Sequence, residues 1–177
     1  MNRDMMETLV GKIIKVDRGG PESRIGKLLD VYDDHFVLLT EKDGVVYYNT
    51  RHIKSLTENA KEQLEFKIEV PEGFEYKKAE SFEDLLDCLK LQWVKINRGG
   101  PEKLEGVLSD INKDFLTLIS TEEVVRLSMY HIRNISYGLK IEQEKEEKSD
   151  SNENHMSDSE VQELRQRVVN TESQYSK

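Results

Sequence analysis

Arg18-Gly19-Gly20-Pro21-Glu22 recurs as Arg98-Gly99-Gly100-Pro101-Glu102, an offset of 80 residues. The offset holds on both sides of the motif, pairing Asp4 with Asp84, Lys15 with Lys95, Gly26 with Gly106, Leu28 with Leu108, Asp30 with Asp110 and Leu38 with Leu118. It then falls to 79, where Val45-Val46 meets Val124-Val125 and His52-Ile53 meets His131-Ile132. One residue is lost around Lys42-Asp43-Gly44, where a hairpin tip tolerates deletion. A repeat of this length marks a domain duplicated in tandem, not a solenoid of short units. The organisation read from it is a first unit over 3–58, an acidic linker over 59–80, a second unit over 81–140 and an acidic tail over 141–177.

Each unit reads the same way. Ser81-Phe82-Glu83-Asp84 has the form of a helix N-cap with an acid three positions on. Leu85, Leu86 and Leu89 then share a helical face, and Met5, Met6 and Leu9 hold those places in the first copy. Ile14 and Val16, or Val94 and Ile96, lead into the Gly-Gly-Pro loop. A strand through Gly26, Leu28 and Val31 follows, then the continuously apolar Phe36-Val37-Leu38-Leu39. Asp43-Gly44 signals a hairpin. Val45-Val46-Tyr47-Tyr48 returns, and Ile53 and Leu56 close the unit. A short helix and five strands predict a mainly β chain of two tandem small Sm-like or SH3-like barrels, since closure reduces exposed sheet edges. Between the units Leu64, Phe66, Ile68 and Val70 alternate before Pro71-Glu72-Gly73, which fits either an extra hairpin or an ordered linker.

Charge narrows the function. The net charge of −9 is carried by the linker and the tail, while the two units are close to neutral. Over 143–154 the chain is nearly all Glu, Lys, Ser and Asn, a composition that predicts disorder. Ser157 or Asp158 then caps a short predicted helix carrying Val161, Leu164 and Val168. RNA recognition wants a basic face with stacking aromatics. Tyr47, Tyr48 and Tyr130 are explained as well by packing, so nucleic acid is disfavoured as a partner. No apolar run is long enough to span a bilayer, and the first residues lack the apolar stretch of a secretory signal. The expectation is a chain made and kept inside a cell.

The chemistry-bearing residues are few. Cys88 is the only cysteine, which excludes an intrachain disulfide, and it is expected in the core. His52 and His131 stand at equivalent positions without Cys or a second His nearby, which favours a structural role over a metal site. Gly19-Gly20-Pro21 is not followed by the Gly-Lys-Ser/Thr of a phosphate loop. No catalytic set, metal or cofactor is expected, and the chain is not read as an enzyme. The loops have the first claim to function. Gly19, Gly20, Pro21, Gly99, Gly100 and Pro101 answer a backbone need. Arg18, Glu22, Arg98 and Glu102 either pair locally or serve as contacts between molecules.

Val16-Asp17-Arg18-Gly19-Gly20-Pro21-Glu22-Ser23, Trp93 through Glu102, and His131-Ile132-Arg133-Asn134-Ile135-Ser136 resemble the repeats of the spore coat protein B family of endospore-forming bacteria. The resemblance covers about residues 5–140. It implies a structural component of the outer spore coat, assembled on the forespore surface from the mother-cell cytoplasm. It also implies other coat proteins, and further copies of the chain, as partners. The tail departs from the family pattern. Longer relatives end in a Ser/Lys/Arg-rich region resembling a kinase substrate, whereas this tail is short and acidic. The competing reading is a cytoplasmic Sm-like RNA-binding or regulatory module.

Overall fold

Two short helices open the two repeats, and neither could persist alone. Helix α1, Arg3–Glu7, is capped by Asn2, whose side chain accepts from the Asp4 amide. It is held by burial of Met6, with Leu9 buried just beyond it. Helix α2, Phe82–Cys88, is capped by Ser81, whose Oγ accepts from the Asp84 amide at 3.1 Å. It buries Phe82, Leu85 and Leu86, and Leu89 is buried at its end. Residues 2–61 and 64–141 are described by the computed structural model. The expected disordered stretch at 143–154 and the expected helix around Val161, Leu164 and Val168 lie outside the described residues.

Among the described residues, alternating and continuous apolar runs form ten strands. The first repeat contributes β1 (Ile13–Val16), β2 (Arg24–Val31), β3 (His35–Thr40), β4 (Gly44–Asn49) and β5 (Leu56–Thr57). The second contributes β6 (Trp93–Ile96), β7 (Leu104–Ile111), β8 (Phe115–Ser120), β9 (Glu123–Ser128) and β10 (Asn134–Ser136). A 3-10 turn precedes the last strand of each repeat, at Thr50–His52 and Met129–His131. The bulge between Leu28 and Asp30 in β2 recurs between Leu108 and Asp110 in β7. The lost residue falls at the β3–β4 tip, as read from the sequence: Glu41, Lys42 and Asp43 in the first copy against Thr121 and Glu122 in the second.

The strands make one antiparallel sheet in the order β5-β1-β2-β3-β4-β10-β6-β7-β8-β9. This corrects the expectation of two separately closed barrels. Within each repeat the fifth strand returns beside the first, through β1–β5 and β6–β10 pairing. The fourth strand does not close on the fifth of its own repeat. Instead β4 pairs with β10, Asn134 opposite Tyr48 and Ile135 opposite Tyr47, so the sheet runs from one repeat into the other and stays open.

That junction explains why the first copy is the more apolar. Every residue of β3 and β4 is buried. Phe36, Leu38, Val46 and Tyr48 face a core with Met6, Ile14, Val16 and Leu28. Val37, Leu39, Val45 and Tyr47 face a second core shared with Leu85, Leu86, Leu89, Val94, Ile96 and Ile135 of the second repeat. Residues 64–80 form no strand. They pack Phe66, Ile68, Val70, Phe74 and Tyr76 against that shared core. Tyr47 Oη donates to the Lys77 carbonyl at 2.8 Å, and Asp30 gathers Tyr32 Oη at 3.1 Å and Lys78 Nζ at 3.1 Å. The linker is therefore a cover for the first repeat.

Candidate functional site: the joint between the repeats

The two Arg-Gly-Gly-Pro-Glu loops are placed by the ends of β1 and β6. The residue before each motif, Asp17 or Asn97, adopts φ of 51° or 53°. Asp and Asn tolerate this left-handed region better than most residues because the short polar side chain bonds locally. Asp17 Oδ1 accepts from the Lys54 amide at 2.9 Å. Asn97 Oδ1 accepts from the Arg133 amide at 2.8 Å, and its Nδ2 donates to the His131 carbonyl at 2.8 Å. Sequence reasoning missed these two residues; a short polar side chain directly before both motifs was the available signal.

The loops meet at the β4–β10 joint. Asp43, at the first hairpin tip, takes Arg24 Nε on Oδ2 at 2.8 Å and Arg98 Nη2 on Oδ1 at 2.8 Å. Its side chain is only 9% exposed, so the two guanidinium groups supply most of its solvation. Glu22 bonds Arg133 of the second repeat and lies 4.0 Å from Lys54 of its own. The local Arg–Glu pairing considered from sequence is not what Arg98 and Glu22 do: each is committed across the joint. Arg18 and Glu102, their counterparts, are exposed. The backbone seals the same seam, with the Val45 amide donating to Leu139 at 2.8 Å and the Asn49 amide to Arg133 at 2.9 Å.

The glycines divide by their surroundings. Gly20 has φ of +86° with open space where a Cβ would stand. In the second loop the left-handed residue is Gly99, at +89°, and a Cβ there would lie 2.2 Å from the Pro21 carbonyl oxygen. Gly100 is not left-handed, but its Cβ would lie 2.5 Å from the Arg133 guanidinium and 2.8 Å from Glu22 Oε1. Gly19 meets nothing. Pro21 and Pro101 are exposed, and Pro21 Oxygen accepts from Arg24 Nη1 at 2.7 Å. A shallow cleft of about 530 Å³ beside the seam is lined by Arg24, Asp43, Lys95, Arg98 and Lys103.

The other candidates fall elsewhere. His52 packs edge-on to Tyr130, ring centroids 5.5 Å apart, and Tyr130 also lies edge-on to His131 at 5.3 Å. Burial lowers the pKa of His52, with Arg133, His131 and Arg51 adding to the effect and a hydrogen bond to the Tyr130 backbone opposing it. No group of three metal-ligating side chains occurs among the described residues. Cys88 is exposed, a correction to its expected place in the core, because Leu85, Leu86 and Leu89 fill the buried face of α2. Tyr47 and Tyr48 are buried, and burial pushes both hydroxyls well above the usual range. Among the described residues no helix is long and apolar enough to cross a membrane.

No family model and no solved structure matches the chain. Among curated proteins it is 37% identical over 151 residues to spore coat protein B of Bacillus subtilis strain 168. The chain is a spore coat protein B family relative. The match takes in 83% of this chain and 39% of the curated relative, so the chain spans well under half of that protein's length.

Proposed function

We propose that the chain is a structural component of the bacterial spore coat and works by protein–protein assembly rather than catalysis. The likeness to a spore coat protein over most of the chain carries this reading. The joint is consistent with it, because residues of both motifs hold one repeat against the other by strand pairing and ion pairs, the kind of contact that assembly would use. Each repeat sets its fifth strand beside its first and leaves its fourth strand at an edge, which suits assembly through strand edges. Other coat proteins and further copies of the chain are the partners this reading implies. No membrane or nucleic-acid partner is part of it.

The test is a fluorescent fusion followed through sporulation, with fractionation of the purified spores. A ring of signal at the forespore surface and recovery in the coat fraction are expected. A signal spread through the mother cell, with co-purifying RNA, would replace this reading with that of a cytoplasmic RNA-binding module.

A further inference from the structure

The joint joins two unlike edges, and the repeat supplies a second example of each. The fourth strand of the first repeat, β4, meets the fifth strand of the second, β10. Their counterparts are β9 and β5, and among the described residues these are the two terminal strands of the sheet. We propose that a second copy of this chain docks head to tail, β9 of one copy adding to β5 of the next, in a repetition of the internal joint.

The exposed residues fit this occupant. Val45 and Tyr47 are fully buried in β4, whereas their counterparts in β9 are Val124, at 58% exposure, and Arg126, also exposed. Leu39 is buried, and its counterpart Ile119 is 43% exposed. Charge complementarity is preserved at the two ion pairs that cross the seam. The Asp43–Arg98 pair becomes Glu122 with Arg18 of the next copy, and the Glu22–Arg133 pair becomes Glu102 with Lys54. The stacked Tyr47–Tyr137 pair becomes Arg126 facing Glu58, opposite charges again. The equivalent register sets Leu56 opposite Arg126 and Ser55 opposite Leu127. An unpaired strand edge is a ready template for such addition.

The copied joint is weaker than the internal one. A Cβ on Gly44 would lie 2.1 Å from the Leu139 carbonyl oxygen, and the counterpart of Gly44 is Glu123. The backbone contact at that end of the seam therefore cannot recur. Arg24 is replaced by Leu104, so Glu122 meets one guanidinium where Asp43 meets two. Exposed ion pairs are screened by salt. The association is accordingly reversible and salt-sensitive. Because its two patches differ, each bound copy presents a fresh edge, and the assembly extends until it closes on itself or continues as a fibre.

This inference deepens the structural role proposed above and rests on it only for its setting. Its test uses the purified chain of 177 residues. Sedimentation velocity across a concentration series should show oligomers at low salt that dissociate at high salt. Glu122→Arg alone and Arg18→Glu alone should each weaken association by about tenfold or more, since like charges would then face each other. An equimolar mixture of the two variants should recover it, because each altered edge is complementary to the other. Thermal melts at high salt establish that both variants fold. A chain that stays monomeric at low salt, or variants that associate as well as the parent, would overturn the proposal. Coat localisation with a monomeric chain would leave the proposed function standing and remove only this mode of assembly.

Discussion

Asp43 and Arg98, which stand 2.8 Å apart, come from different repeats and from different kinds of loop, one a hairpin tip and the other the glycine motif. Removing the carboxylate leaves Arg24 and Arg98 side by side without their shared partner. Asp43→Ala should therefore destabilise the fold by about 3 kcal/mol, the range for breaking a mostly buried ion pair. Urea unfolding measures it, and a change below about 1 kcal/mol would mean that solvent replaces the carboxylate.

The two motif arginines should differ. Arg98→Ala should cost about 1.5–3 kcal/mol, as expected for a lost hydrogen bond to a charged group. Arg18→Ala, measured at high salt, should stay within about 0.5 kcal/mol because the side chain is exposed. Equal losses from both would show that the loops play the same part in both repeats.

The glycines should separate in the same manner. Gly20→Ala meets only the strain of a left-handed backbone, about 1 kcal/mol. Gly99→Ala adds a collision with the Pro21 carbonyl and should lose clearly more. Chemical denaturation of the two variants side by side decides this; a smaller loss at Gly99 would mean that the seam yields freely.

Acid should loosen the His52 region. Its pKa in the folded chain is lowered, so below about pH 6.5 the unfolded chain takes up a proton that the folded chain resists. Its contribution is complete near neutral pH and declines as pH falls from 6.5 through the folded value. His52→Gln should lose less stability than the parent between pH 7 and about pH 5. Parallel stability–pH curves for parent and variant would exclude His52 as a source of the dependence.

The repeated elements, their order and the site of the lost residue were legible because apolar period and turn chemistry are local. The joint was not, since strand period does not name a partner strand. A usable signal lay in comparing the copies. Val45-Val46-Tyr47-Tyr48 is apolar throughout, while Val124-Val125-Arg126-Leu127 carries an arginine. A continuous run marks a strand buried on both faces, whereas a broken one marks a face left to solvent. Arg98 and Glu22 make ion pairs within the chain, across the joint, and nothing local in the sequence shows whether such a contact lies within the chain or between chains. Cys88 was misplaced because it ends a helix of about two turns, beside the face that Leu85, Leu86 and Leu89 already fill.

The Val45 amide donates to Leu139, near the far end of the described chain. The first repeat therefore cannot complete its own ladder while it is being synthesised. Its fourth strand, apolar on both sides, must wait for the linker and then for nearly the whole second repeat to leave the ribosome. Pairing over such sequence distances is slow, and a waiting apolar edge is prone to wrong partners. Two copies of one unit thus behave in folding as a single late-closing module, and a nascent first repeat is the species a chaperone would need to shield.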